Sequence, residues 1–411
     1  MPGLQINVLV VNYMGKTACG GKGGATVKRR SRGFLIDVLR QCDYILLGLC
    51  LVCSAFGLVM IASATRYMGS MRYVAVQAAA TALGVILYIL MSSVDLPEMT
   101  KKGWKWILIA NFVLILLLRT PFGAADDTGN RAWLKFPFLP VMVQPAELVK
   151  IGYILLLAKQ LDWLKKEKND LKSMKSMAFL GGHFLLLFGL YYVISSDMGS
   201  DLVLLFIFVC MCFVGGVALR WFLLGLGGGA AAFYLLWQED KIPEYMKKRF
   251  IVLFDHSYDT LDTGWHQTRS LLTLGGGKLT GQGLFHGTQT QSAFSASLPA
   301  RHTDFIFAVI GEELGMLGCL LVLALLAAVI VRCIYVAVKA ATPMETLICV
   351  GVASMLLFQM IANVGMCLFV MPVIGLTLPF FSYGGSSVVA LYAAVGLVSS
   401  VHSHSLPEWL R

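Results

Sequence analysis

Ten stretches of predominantly apolar residues recur along this 411-residue chain, near 43–65, 72–93, 104–121, 143–160, 177–195, 201–219, 221–238, 304–333, 345–371 and 383–402. A helix needs about 20 such residues to cross a hydrocarbon layer about 30 Å thick. Inside that layer no water satisfies the backbone, so each stretch must close its own hydrogen bonds as a helix. The pattern therefore implies an all-α polytopic membrane protein with about ten transmembrane helices. Composition agrees, because 57% hydrophobic against 14% charged residues leaves too few polar groups to cover a water-facing globule. The same figures exclude collagen-like, disordered and disulfide-rich secreted chains.

A net charge of +10 would suggest nucleic acid in a soluble protein. Here the Lys and Arg residues fall in the short gaps between apolar runs, which is the signature of membrane orientation and not of nucleic-acid binding. With the N-terminus inside, the inner side receives Lys28, Arg29, Arg30 and Arg32, then Lys101, Lys102 and Lys105, then the run from Lys159 to Lys175. The opposite gaps are poorer, with Arg66 and Arg72, then Arg131 and Lys135, and none in 372–382. Both termini are expected in the cytoplasm of a multi-pass cytoplasmic-membrane protein, with residues 239–303 forming a large extracellular loop between helices 7 and 8. Residues 1–40 read as a disordered cytoplasmic leader without a cleavable signal, 41–405 as the membrane domain and 406–411 as a cytoplasmic tail. Most of the 10 Cys lie in apolar stretches, so neither a disulfide framework nor a zinc site is expected.

The outer loop is nearly neutral and long enough to be functional. Its portion Tyr245–Phe254 is aromatic, basic and amphipathic, suited to lying along a membrane surface. The Gly-rich part Gly275–Gly283 does not form a nucleotide-binding GxGxxG after a strand. In the seventh span, Gly227, Gly228 and Gly229 predict close helix approach. No internal repeat is visible, which argues against an inverted-repeat transporter.

Ionisable residues at membrane depth are the candidates for chemistry. Glu147 and Lys150, at i and i+3 behind Pro145, form either a structural ion pair or an anion-binding cation facing an aqueous groove. Asp304 follows the outer loop and stands at the start of the eighth span, either as a helix-start carboxylate or as a general base. Arg301 and His302 give it a basic neighbourhood able to hold a phosphate. Glu312 and Glu313 lie deeper, and one reads as a buried structural acid. Asp197 and Asp201, four apart, suggest helix caps or a metal site, but no third ligand is evident and no metal ligands are assigned. Arg131 and Trp133 occupy an outer gap, where Trp is an interface anchor or packs on a sugar face. The breaker-rich stretch 371–387 is either a tight outer turn or a re-entrant segment lining a groove.

Taken together, these segments resemble the SEDS family (shape, elongation, division and sporulation) over roughly residues 40–405. The resemblance is carried by the runs Gln144–Lys150, Arg301–Gly315 and Leu378–Ser387, and Gly287–Gln291 looks like the RodA branch. It implies a ten-helix peptidoglycan glycosyltransferase that polymerises lipid II into glycan strands on the outer membrane face, serving cell elongation and shape. It further implies that Asp304 is the essential acid, that Trp133, Glu147 and Lys150 match family positions, and that a class B penicillin-binding protein is the partner. No organic cofactor is implied, while a divalent cation, magnesium or manganese, is. The chain departs from the family pattern at Ala132, where relatives commonly carry Arg, and at Ser195–Gly199, which lacks the usual Pro.

On this reading Asp304 takes a proton from the acceptor sugar while Arg131, Lys150, Arg301 and His302 surround the anionic part of the substrate. The rival expectation is a flippase for the same lipid-linked precursor, and a third is a scaffold that only docks a partner enzyme. One-sided placement of the charged groups favours chemistry at one face.

Overall fold

The computed structural model describes residues 42–405 apart from 126–129, 138–140, 169–170, 256–262 and 295–296. The leader at 1–40 and the tail at 406–411 lie outside the described residues. Seven long helices come first: α1 (Tyr44–Thr65), α2 (Arg72–Ser92), α3 (Leu96–Leu117), α4 (Pro145–Trp163), α5 (Met174–Ser195), α6 (Met198–Gly215) and α7 (Leu219–Gln238). Two shorter helices, α8 (Glu244–Phe254) and α9 (Thr263–Gly276), lie within the segment 239–303, the first over the stretch read as amphipathic. Three long helices complete the fold: α10 (Ile306–Lys339), α11 (Pro343–Cys367) and α12 (Gly385–Ser405).

Eight of these helices are long and apolar enough to cross a membrane. The other two long ones are α3 and α4, which carry more charge: Glu98, Lys101, Lys102 and Lys105 in α3, and Glu147, Lys150, Lys159 and Asp162 in α4. Polar caps set several helix starts. Asp43 accepts from the Ile45 and Leu46 amides, Asp95 from Glu98, and Thr342 and Glu345 form a reciprocal capping box on α11. Asp43 also takes a bidentate pair from Arg332 at 2.9 and 3.0 Å, tying the start of α1 to the far part of α10.

The core is built where α12 packs on α2, and α11 packs on both α10 and α6. Helix α7 stands apart from it, with no buried residue and no atom within 4 Å of a Cβ placed on Gly225, Gly227, Gly228 or Gly229. The close approach expected of that glycine run is not made. The other Gly-rich stretch has a definite use, because α10 is interrupted at Gly315, which adopts φ 68°. The break frees backbone groups, and the chain at 278–283 meets them: Met316 N–H donates to Lys278 O at 2.9 Å, and Gly283 N–H to Glu313 O at 3.0 Å. The segment 278–283 is thereby docked into the helix that follows Asp304.

Candidate active site

Asp304 lies in a turn, and α10 begins two residues later at Ile306 rather than at the acid itself. The turn's backbone is anchored to the irregular segment 368–384. Tyr383 N–H donates to His302 O at 2.8 Å and Ser382 Oγ to Thr303 O at 2.6 Å. Asn363 Nδ2 donates both to Asp304 O at 2.8 Å and to Leu376 O at 2.7 Å, bridging the two segments. Ala300 (φ 46°) and Phe380 (φ 66°) adopt left-handed backbone on the two sides of this junction, a strain typical of functional turns. The breaker-rich stretch is therefore no simple outer turn; it positions the acid.

The Asp304 carboxyl itself has no hydrogen bond or ion pair among the described residues, and it does not cap α10, whose N-cap Phe305 receives no side-chain bond. A Cβ at Gly375 would stand 4.0 Å from Oδ2. Burial pushes the Asp304 carboxyl up to about 6, the Asp197 carboxylate adds to the rise, and Arg249 opposes it. Asp197 is engaged in capping α6: it accepts from Ser200 N at 3.2 Å, Ser200 Oγ at 2.8 Å, Tyr191 OH at 3.1 Å and Gln144 Nε2 at 3.2 Å. Asp201 is sealed one turn deeper, with both carboxylate oxygens lacking a partner. No cluster of three His, Cys, Asp or Glu able to hold a metal ion occurs among the described residues. Magnesium and manganese often take only one or two protein carboxylates beside substrate phosphates, so this leaves the ligands of the implied divalent cation unassigned among the described residues.

Next to Asp304, Thr303 lines a cavity of about 580 Å³ together with Arg72, Tyr73, Trp133, Lys135 and Tyr383. Trp133 is placed there by a two-residue antiparallel pairing, Gly123–Ala124 with Trp133–Leu134. Arg72 and Lys135 are exposed, and neither is in an ion pair among the described residues. Tyr73, Tyr383 and His302 form an aromatic cluster with centroid separations of 4.9 to 5.7 Å. Burial, followed by Arg301, lowers the His302 pKa, so this ring is neutral near pH 7 and adds no cation.

The other expected site residues are engaged elsewhere. Arg301 is 1% exposed; its guanidinium donates to the carbonyls of Gln289, Thr290, Ser292 and Phe294 and stacks 3.8 Å from the Tyr67 ring centroid. Glu312 holds the same loop from the opposite side, accepting from Gln289 N at 2.7 Å, Thr290 N at 2.8 Å and two threonine hydroxyls. Glu313 accepts from Ser63 Oγ at 2.6 Å, Gln291 Nε2 at 3.0 Å and Phe285 N at 3.1 Å, so both acids are buried and structural. Lys150, 0% exposed, pairs with Glu147 at 2.8 Å. Arg131 is exposed, its backbone N–H donates to Ser195 O, and it does not line the cavity. The structure thus places Trp133 on the cavity lined by Thr303, which lies between His302 and Asp304 in the chain, and commits Arg301 and the Glu147–Lys150 pair to internal contacts. Arg72 and Lys135, which in the sequence served only as markers of orientation, line the cavity as well.

Comparison with known proteins completes the picture. The family model FTSW_RODA_SPOVE, described as "Cell cycle protein", matches residues 43–406. The chain is 33% identical over 327 residues to the peptidoglycan glycosyltransferase MrdB of Escherichia coli K12, covering 79% of this chain and 84% of the relative. It is 31% identical over 323 residues to a probable peptidoglycan glycosyltransferase FtsW of Haemophilus influenzae, covering 77% and 78%. Among solved structures, a peptidoglycan synthase complex that coordinates polymerization and crosslinking matches with TM-score 0.72 at 30% identity, over 89% of this chain and 98% of that one. The rod shape determining protein RodA of Thermus thermophilus matches with TM-score 0.64 at 29% identity, over 89% and 98%.

Proposed function

Because the chain belongs to the FtsW/RodA/SpoVE family of cell cycle proteins, we propose that Asp304 is the general base of its peptidoglycan glycosyltransferase reaction, with lipid II as substrate. The protein is a multi-pass membrane enzyme of peptidoglycan polymerisation, acting in cell shape. In the proposed step, the Asp304 carboxylate accepts the proton of the acceptor sugar's hydroxyl as that oxygen attacks the donor's anomeric carbon. A new glycosidic C–O bond forms, and the C–O bond to pyrophosphate breaks with its electron pair leaving on polyprenyl pyrophosphate. Arg72 and Lys135 are the cations positioned to balance that developing charge, in the role first expected of Lys150 and Arg301. Trp133, Tyr73 and Tyr383 offer flat surfaces for the sugars.

The observation that carries this reading is the Asp304 carboxyl, partly exposed and without a hydrogen-bond or ion-pair partner among the described residues, one position along the chain from Thr303, which lines a cavity of aromatic and cationic residues. A lipid-linked substrate suits the architecture, because its hydrocarbon tail stays in the bilayer while its sugars meet this rim. We further propose that Asp304 faces the outside, that both termini are cytoplasmic, and that a class B penicillin-binding protein supplies the crosslinking step. Purified Asp304→Asn protein given lipid II should make no glycan polymer while staying folded; strands formed at the wild-type rate would overturn the assignment. Scoring lipid translocation in the same vesicles separates a polymerase from a flippase, which would keep moving lipid without making polymer.

A further inference from the structure

At the end of the bundle opposite Asp304, the starts of α3 and α11 meet the end of α4 around two adjoining clefts of about 280 and 370 Å³. Asp162 and Thr342 line both clefts. We propose that this end binds the headgroup of an anionic phospholipid whose phosphodiester carries a hydroxyl-bearing alcohol, as phosphatidylglycerol does.

Two independent features point to such a ligand. The first is a set of cations without acid partners: Lys101 lines the smaller cleft, Lys165 the larger, and neither is in an ion pair among the described residues. Lys159 joins them, its ammonium donating to Thr100 O at 2.6 Å while lying 5.3 Å from the Trp104 ring centroid. That leaves two of its three N–H groups available. The acids present are occupied: Glu167 accepts from the Trp163 indole, and Asp162 Oδ2 pairs with Lys166 at 2.8 Å.

The second feature is the other Asp162 oxygen. Oδ1 is buried without a hydrogen-bond partner, in a residue that lines both clefts. A buried acceptor is costly until a donor reaches it. A phosphate satisfies the lysines but repels Asp162, whereas a headgroup with both a phosphate and a hydroxyl satisfies both. The surroundings match the depth at which such a headgroup lies, since Trp104, Trp106 and Trp163 stand exposed at this end, as aromatic residues do at a membrane interface. Lysines retained only to set orientation would need neither a cleft nor an orphaned acceptor in its lining; basic pockets between transmembrane helices, by contrast, recognise lipid headgroups.

The test uses full-length protein in lipid nanodiscs, with retention of phosphatidylglycerol against phosphatidylcholine read by native mass spectrometry after detergent release. Phosphatidylglycerol should be retained preferentially. Lys101→Gln should weaken retention about fivefold, the effect of one lysine near anionic lipid. Asp162→Asn should reduce the preference for phosphatidylglycerol over phosphatidic acid, which lacks the hydroxylated alcohol. Lys172→Gln with Lys175→Gln removes more charge outside the clefts and should leave retention unchanged. Polymerase activity of the Lys101→Gln protein, retained near wild type, shows that it is folded. Equal loss from the control pair, no preference over phosphatidylcholine, or displacement by millimolar glycerol phosphate would each overturn the proposal, the last by showing a soluble-anion site.

Discussion

Replacing Asp304 by Asn should inactivate the enzyme and, at neutral pH, stabilise it. The carboxyl titrates at about 6 in the folded protein against 3.8 for a free one. A folded-state value raised in this way means that the acid's contribution is fully favourable below pH 3.8 and is lost as pH rises through about 6. Above that pH the ionised, partnerless group burdens the fold by about 3 kcal/mol, an upper bound because the residue is partly exposed. Asn removes the charge and fills nearly the same volume. In thermal unfolding followed by tryptophan fluorescence at one scan rate, Asp304→Asn should melt higher than wild type at pH 7.5, and the difference should vanish near pH 4. The same ionisation predicts that wild-type kcat/KM falls about tenfold between pH 7 and pH 5, whereas a carboxyl at its ordinary value would lose less than about a tenth. Lower stability of Asp304→Asn at pH 7.5 would make the acid a structural element, and a rate flat down to pH 5 would exclude it as the base.

Three other substitutions probe the groups around it. Lys150→Met strands Glu147 in the core and should cost about 3–5 kcal/mol, most of it recovered in the Glu147→Gln, Lys150→Met double variant; a double variant that melts like wild type yet makes no polymer would return Lys150 to substrate binding. Arg301→Lys replaces a guanidinium serving four carbonyls and the Tyr67 face with a single ammonium, so amide hydrogen exchange should quicken at least tenfold across 289–294 and leave α11 unchanged. Unchanged exchange with a raised KM would instead place Arg301 on the substrate. Gly199→Ala puts a methyl 2.3 Å from Ile374 O, which should cost about 1–3 kcal/mol and lower polymerisation by displacing the segment beside Asp304; a wild-type polymerisation rate would show that this contact does not position the site.

Much of the fold was legible because hydrophobic length is a one-dimensional signal that needs no partner. Boundaries moved where charged residues continue a helix beyond its apolar part, as in α3, which starts at Leu96 and not at 104 because Asp95 caps it. The place of Asp304 just ahead of a long helix was legible from the apolar run that follows it. The interruption of α10 was not, since a φ of 68° at Gly315 makes sense only when chain 278–283 is there to fill the gap. The contacts of Arg301 with four loop carbonyls were illegible for a related reason. A buried guanidinium can be satisfied by carbonyls of a loop whose path the sequence does not reveal, whereas a phosphate is the partner that residue type suggests first. The glycines of α7 show the opposite limit, because small residues permit close approach without supplying a neighbour.

Missing partners alone would not single out Asp304 as the proposed base. Asp201 also lacks any hydrogen bond to its carboxylate, yet it is 1% exposed within α6, whereas Asp304 is partly exposed. Glu312, Glu313, Asp197 and Glu147 are each occupied by donors from the chain, so protonating or moving them would dismantle the loop, cap or pair they hold. Asp304 differs on both counts. Its backbone is tightly fixed through His302, Thr303 and Asn363 while its carboxyl is uncommitted, so it can change charge during a reaction without changing position. A general base needs that combination: a proton-accepting oxygen held rigidly from behind, with burial setting its affinity close to the working pH. The cations show the same division. The buried Lys150 and Arg301 are tied to a carboxylate and to carbonyls, whereas Arg72 and Lys135 stand exposed on the cavity, as the proposed partners of a substrate's charge require.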